Sequence, residues 1–207
     1  MRLQKQAGFS LVELLVAMGF SLAVLASIYG FFRAQVKTTK GQESRMEAHE
    51  YAMMVLDSMV REIRNTGYSP SNGTPCAVPA NTGGIVNAAS NTLTLVYETA
   101  PAACDRVVTF TYNNAAAGDI LRDGQALTQG NVAAFSFTYF PQQTGAAPAV
   151  PYCVAPNPPG CVGGLNLNNI QRIDVSITVR ALSNDTNFGG QTTVTMTSSA
   201  DLRNHGL

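Results

Sequence analysis

A long apolar run near the start of the chain constrains the fold more than any other feature. Residues 9–32 read FSLVELLVAMGFSLAVLASIYGFF, with no proline and a single charge, Glu13. At about 1.5 Å per residue the run makes roughly 36 Å of helix, more than the hydrocarbon thickness of about 30 Å. We therefore predict a membrane-spanning helix over residues 9–32.

A removable secretory signal is the simplest alternative interpretation. Arg2 and Lys5 would form its basic region, and Val24-Leu25-Ala26 would supply a small-residue cleavage site. However, the run is longer than the usual apolar region of about 7–15 residues, and it contains a carboxylate. A charge inside a membrane span costs on the order of 2.5–3.5 kcal/mol, so Glu13 is predicted to have a function.

The chain divides near Gly67. All ten prolines lie between Pro70 and Pro159, whereas residues 33–67 consist almost entirely of helix-forming residues. The helix is therefore expected to continue to Gly67, which would end it as a left-handed cap. Apolar residues at helical spacing predict one stripe that packs on a sheet: Met46, Met53, Leu56, Met59, Val60 and Ile63.

Residues 68–207 are predicted to form a strand-rich head. Runs rich in Val, Ile, Thr, Phe and Tyr predict strands at Thr92–Tyr97, Arg106–Tyr112, Val132–Phe140, Ile170–Arg180 and Thr192–Ser198. A tight hairpin is predicted at Asp123-Gly124. The expected fold class is α+β, with a long N-terminal helix on an antiparallel sheet.

All four cysteines follow the apolar run, which predicts disulfides in an oxidising compartment. A metal site is the alternative, but there is no Cys-x-x-Cys, and His49 and His205 are the only histidines. Four cysteines permit three pairings. Spacing favours Cys76 with Cys104, and Cys153 with Cys161, because the second pair closes the short, proline-rich loop CVAPNPPGC.

The segment Gly8-Phe9-Ser10-Leu11-Val12-Glu13-Leu14 resembles the type IV prepilin cleavage motif at every position. The resemblance implies that a prepilin peptidase removes the leader 1–8 after Gly8 and methylates the new amine of Phe9. It also implies that Glu13 neutralises the amine of a neighbouring subunit and so sets the register of a filament. In the alternative, Glu13 contacts only the amine of its own Phe9, one helical turn away.

Further segments extend the resemblance to PilW-type minor pilins and to the J-type pseudopilins of type II secretion. They are REIRNTGY, LRDGQAL before NVAAFSFTY, RIDVSITVRA and the C-terminal DLRN. Gly30 departs from the major pilins, which usually have a proline there, and this favours the minor class. The resemblance implies a subunit that helps to initiate a pilus near its tip; a type II secretion pseudopilin and a tip adhesin or binding module are the alternatives.

The same resemblance implies where the chain works and with what. The partners would be other minor and major pilins, the prepilin peptidase, an inner-membrane assembly platform and, before assembly, membrane lipid. The head would be periplasmic before it reaches the cell surface with the pilus. Counting basic residues on either side of the span favours the opposite orientation, but the cleavage motif and the cysteines agree with each other.

Neither composition nor motifs favour catalysis or nucleic-acid binding. The formal net charge is zero, and the head carries no cluster of lysines and arginines with which to contact phosphates. No phosphate-binding loop, Gly-x-Ser-x-Gly or His-Glu-x-x-His is present in the sequence. We therefore expect no enzyme activity, no cofactor and no metal.

The cleavage motif makes the first testable prediction. Processing should remove Met1 through Gly8 and leave a methylated Phe9 at the N-terminus, because the span is too long for a removed signal. Intact-mass measurement of the membrane-extracted protein checks both changes. A mature chain that starts at Ser27 would instead identify a secretory signal.

Overall fold

The computed structural model describes residues 10–68, 84–98, 106–114, 118–142, 150–155, 158, 160–181 and 193–202. A single helix, α1, runs from Leu11 to Asn65 without interruption. Its 55 residues correspond to roughly 80 Å at about 1.5 Å per residue. The absence of proline before Pro70 explains the continuity, since a proline inside the helix would remove a hydrogen bond and clash with the preceding turn.

The helix ends as the sequence predicts. Thr66 is its C-cap, and Gly67 follows with a positive φ of 70°, a conformation that glycine adopts without strain. The Gly67 N–H donates to the carbonyl of Val96 at 3.0 Å, so the end of the helix is bonded directly to a strand. A Cβ at Gly84 would lie 2.3 Å from the Gly67 nitrogen, so this close approach requires glycine.

Ten strands follow in the described part of the head, and most of them are arranged in two main antiparallel sheets rather than in one. The first sheet is a meander in the order β1-β2-β3-β4-β5. Its strands are Ile85–Ala88, Thr92–Tyr97, Arg106–Asn113, Asp119–Arg122 and Gln125–Ala126. The predicted hairpin joins β4 to β5, with φ of 53° at Asp123 and 80° at Gly124. Positive φ at both positions is typical of a type I′ turn.

The second sheet has the order β10-β9-β6. Its strands are β6 (Val132–Pro141), β9 (Ile170–Arg180) and β10 (Thr193–Asp201). A small parallel pair, β7 (Tyr152–Cys153) and β8 (Val162–Gly164), and a short 3-10 helix at Leu167–Asn169 lie between β6 and β9 in the chain. The α+β class and the long helix packed on antiparallel strands are therefore confirmed.

The C-terminal half of α1 packs on β9 and β10 and completes the core of the head. The buried helix residues are spaced three and four apart, as one face of a helix requires: Ser44, Ala48, Ala52, Val55, Leu56, Met59, Val60 and Ile63. Opposite them, β9 contributes Ile173, Val175, Ile177 and Val179, all of which are fully buried. Alanines at positions 48 and 52 leave room for the helix to lie close to the sheet.

Two members of the predicted apolar stripe do not belong to it. Met46 and Met53 are 65% and 52% exposed, whereas Met59 and Ile63 are fully buried. At 100° per residue, Met53 lies about 100° around the helix from the buried Ala52, beyond the face that the sheet covers. The prediction was wrong because apolar character alone does not locate the centre of the buried face.

Two methionines on the same helix therefore provide a matched pair for measuring this packing. Met59→Ala should lower the free energy of unfolding of the head by about 2–5 kcal/mol, because it leaves a cavity at the helix–sheet contact. Met53→Ala should change it by no more than about 0.5 kcal/mol, because an exposed side chain loses little. Urea unfolding of the detergent-solubilised chain, followed by near-ultraviolet circular dichroism, measures both. Equal losses would show that this helix face is not the one buried.

Candidate functional site

The apolar half of α1 is exposed along its whole length. By length and composition it is the one helix among the described residues that is suited to crossing a membrane, and none of its most apolar stretch is buried within the chain. Large side chains such as Leu11, Phe20 and Phe31 are 75%, 70% and 68% exposed. Because it is unfavourable to expose so much apolar surface to water, we expect lipid or protein to cover this half of the helix.

Glu13 lies in the first turn of this exposed half. Ser10 is the N-cap, with extended backbone, and its side chain makes no capping hydrogen bond. The Glu13 carboxylate borders an apolar strip formed by Leu14, Ala17, Met18, Ser21, Leu22 and Leu25. A carboxylate in the first turn is favoured by the helix dipole, and the free N–H groups there add to the attraction for negative charge.

Two serines in the span are satisfied by the helix itself. The Ser21 hydroxyl donates to the carbonyl of Ala17 at 2.8 Å, and Ser27 donates to that of Ala23 at 2.9 Å. This is the usual way to place serine in an apolar helix. No ion pair among the described residues involves Glu13. Its carboxylate is therefore available to a group from outside those residues; Gly8 and Phe9, its predicted neighbours, lie outside them.

Two of the segments that carry the sequence resemblance meet at the far end of α1. Glu62, from REIRNTGY, accepts hydrogen bonds from the Arg122 guanidinium, from LRDGQAL, and from the hydroxyl of Tyr97. Asp123, also in LRDGQAL, accepts the N–H of Thr109 at 2.8 Å. The Glu62 contacts fasten the helix to the five-stranded sheet, and the Asp123 contact lies within that sheet. Sequence reasoning missed them, since Glu62 and Arg122 are sixty residues apart.

Burial and the neighbouring Glu62 carboxylate raise the pKa of Tyr97 to about 12, against an ordinary value of 10.0, although Arg106 acts in the opposite direction. Burial is the larger cause of the raised pKa, because a buried tyrosinate would lose its hydration. The Glu62 carboxylate adds to it, because it disfavours a second negative charge nearby. The neutral phenol is thus part of the folded arrangement.

The predicted pair Cys153 and Cys161 forms a disulfide, with the two Cα atoms 5.0 Å apart. It closes the loop between β7 and β8, next to β6. Cys76 and Cys104 lie outside the described residues. The described residues also contain no cluster of three or more His, Cys, Asp or Glu side chains that could hold a metal ion.

Comparison with known families gives one finding. The family model of the prokaryotic N-terminal methylation motif matches residues 3–28, which include Gly8, Phe9 and Glu13. Neither the search of curated proteins nor that of solved structures returned a match. The match supports a type IV prepilin-like protein or pseudopilin, a structural class that works with a prepilin peptidase and pilin-type partners. Together with the exposed apolar helix, it indicates a membrane-anchored pilin-like protein.

The contact at Glu62 makes a prediction about pH. Because the pKa of Tyr97 is raised on folding, the stability it contributes is fully present below about pH 10 and is lost as the pH rises through about 12. Glu62→Gln should bring the pKa of Tyr97 closer to 10.0 but leave it raised, since burial persists. An ultraviolet absorbance titration, corrected with Tyr97→Phe, follows this one phenol.

Glu50→Gln is the control for that titration, because Glu50 is an exposed carboxylate on the same helix. It should leave the titration of Tyr97 unchanged. If Glu62→Gln also left it unchanged, burial alone would account for the raised pKa.

Proposed function

We propose that this chain is a minor pilin: a low-abundance subunit that enters a type IV pilus through α1 and helps to initiate assembly near the tip. The observation that carries the proposal is Glu13, the lone carboxylate in the exposed apolar half of α1, which lies within the residues that match the methylation motif. A soluble head needs neither the carboxylate nor the apolar half. A subunit that must leave lipid and dock at a defined height along other helices needs both.

In this proposal the chain has four parts. Residues 1–8 are the leader, residues 9–32 the membrane-spanning half of the helix, residues 33–67 its amphipathic half and residues 68–207 the head. The buried helix residues support the boundary between the two halves, because the first of them is Ser44, well beyond the apolar run. The leader is cut between Gly8 and Phe9, and Phe9 is the methylated residue.

The Glu13 carboxylate would pair with the methylated amine of a neighbouring subunit. Both groups would lie in apolar surroundings. Burying either charge alone there costs much free energy, and burying the two as an ion pair costs much less. The pairing works only at one axial offset between two helices, so it would fix the register of the filament. The exposed position of Glu13 at the helix N-terminus supports this arrangement.

The head would be periplasmic before assembly and displayed on the cell surface afterwards. The Cys153–Cys161 disulfide supports this location, since disulfides persist in oxidising compartments. We propose the second disulfide, Cys76–Cys104, on the same ground. Gly30 favours the minor class over the major pilins, which usually have a proline there, and the sequence segments that resemble PilW-type pilins are shared with the J-type pseudopilins of type II secretion.

Replacing Glu13 by Ala should leave the protein inserted, cleaved and folded but exclude it from filaments. Insertion survives because the span becomes more apolar, and the head lies tens of ångströms away along α1. Breaking a buried ion pair costs about 3–5 kcal/mol, and each 1.4 kcal/mol is about a tenfold change. The amount of the chain in sheared filaments, relative to the major subunit, should therefore fall by more than about tenfold.

Glu50→Ala is the matched control, because it removes an exposed carboxylate from the same helix outside the span. It should enter filaments like the wild type. Equal incorporation of Glu13→Ala would show that this carboxylate is not the docking group. Complete absence of the wild-type chain from pili, with recovery from secretion complexes, would favour the pseudopilin.

A further inference from the structure

Strand β10 forms one edge of the β10-β9-β6 sheet. It pairs with β9 over nine consecutive residues, Thr193 to Asp201, without a register shift. Among the described residues no strand pairs with its other side. Its sequence, TVTMTSSAD, contains no proline, glycine or lysine and has one charge, at its last residue.

The direction of the free main-chain groups follows from two hydrogen bonds. Leu202, one residue past β10, donates its N–H to the Gln171 carbonyl at 2.8 Å, so it forms a bonded pair with β9. Bonded and non-bonded pairs alternate in an antiparallel ladder, so every second residue of β10 points its N–H and C=O away from β9. These residues, all exposed, are Thr193, Thr195, Thr197, Ser199 and Asp201.

The pairing of Thr193 with Arg180 agrees with this assignment. In a non-bonded pair the Arg180 N–H must point away from β10, and it does donate to the Asn131 carbonyl on the β6 side, at 2.7 Å. The outer edge of β10 therefore presents five N–H and five C=O groups, alternating along a regular strand.

The other sheet edges that the structure describes are shortened or protected. β1 has four residues and a register shift, and β5 has two residues. β6 has two register shifts and ends in Pro141, and its Phe137 N–H is bonded to the Ser90 carbonyl. Proteins usually protect edges in these ways against unwanted pairing. β10 alone among these edges is long, regular and without such a device.

β10 is also held rigidly. On the polar face of the sheet, Thr195 shares a hydrogen bond with Thr178 at 2.8 Å, and Thr197 donates to Ser176 at 3.3 Å. On the opposite face, Val194 and Met196 pack against the core beneath α1. The edge is therefore preorganised, which lowers the entropic cost of binding a further strand.

We propose that the outer edge of β10 binds an extended strand of a different pilin-like subunit in the same filament. This rests on the proposed function. Only an extended polypeptide matches alternating N–H and C=O groups at this spacing. The bound strand would alternate apolar side chains, on the face of Val194 and Met196, with small hydroxyl side chains, on the face of Thr195 and Thr197.

A second copy of this chain does not fit the edge as well. Antiparallel pairing of two β10 strands would relate the copies by a two-fold axis perpendicular to the sheet, and α1 would then run in opposite directions in the two. Helices anchored in one membrane with the same orientation cannot do this. Parallel pairing would place the hydroxyl face of one copy beside the helix-covered face of the other and break the division of the sheet into apolar and polar faces.

Residue-resolved hydrogen–deuterium exchange on the full chain tests the proposal. The chain is compared as a dilute detergent-solubilised monomer and in sheared filaments enriched through a tag on it. The amides of Thr195, Thr197 and Ser199 should exchange fast in the monomer and about tenfold or more slowly in filaments. Those of Met196, Ser198 and Ala200, bonded to β9, should be slow in both. Only strand addition produces this alternation.

Each other outcome overturns the proposal. Fast exchange of the three outer amides in filaments means that the edge stays free, while the minor-pilin assignment stands. Slow exchange in the dilute monomer means that a segment of the same chain covers the edge. Protection that appears in the purified chain only at high concentration means that a second copy does so. Absence of the chain from filaments removes the proposed function as well.

A pair of variants at one position provides an independent readout. Thr197→Pro deletes an outward N–H that makes no bond to β9, whereas Thr197→Val keeps the N–H and removes only the hydroxyl. Both should insert and be cleaved like the wild type. Incorporation into filaments should fall about tenfold or more for the proline variant and stay within about twofold for the valine variant. Equal incorporation of the two would contradict strand addition.

Discussion

The burial of one face of α1 against β9 and β10 is the interaction on which the rest of the structure depends. It covers the apolar side of the second sheet. It also fixes the C-terminal half of α1, whose N-terminal half packs against nothing within the described chain. Without it, the sheet would expose Ile173, Val175, Ile177 and Val179. Because the same helix continues unbroken into the apolar half, the packing also fixes the direction in which that half leaves the head.

The helix is attached to the head by polar as well as apolar contacts. Glu62 joins α1 to Arg122 and Tyr97 of the first sheet, while the apolar face contacts the second, so the two sheets are oriented against one element. The bond from Gly67 to Val96 adds a third connection just past the last turn. Both sheets are thus attached to one uninterrupted helix.

Local pattern predicts much of this fold. β2 and β9 have the predicted bounds, because alternating residues with one buried face carry a strong signal, and the turn at Asp123-Gly124 follows from its residue types. The short strands β1, β7 and β8 have no such alternation and were not predicted. The division into two sheets also escaped prediction, because pairing between distant segments depends on three-dimensional packing that periodicity does not encode.

The apolar half of α1 also bears on the free energy of the proposed move from a membrane into a filament. Lipid chains and the side chains of Leu, Val and Phe are about equally apolar, so moving this half from a bilayer into a bundle of similar helices yields little hydrophobic gain. The transfer is thus nearly neutral except at its few polar groups. Ser21 and Ser27 carry their hydrogen-bond acceptors with them inside the helix, whereas the charged Glu13 would depend on its surroundings in each environment. In the proposed assembly, Glu13 is therefore the one charged side chain of residues 9–32 whose surroundings would differ between lipid and filament.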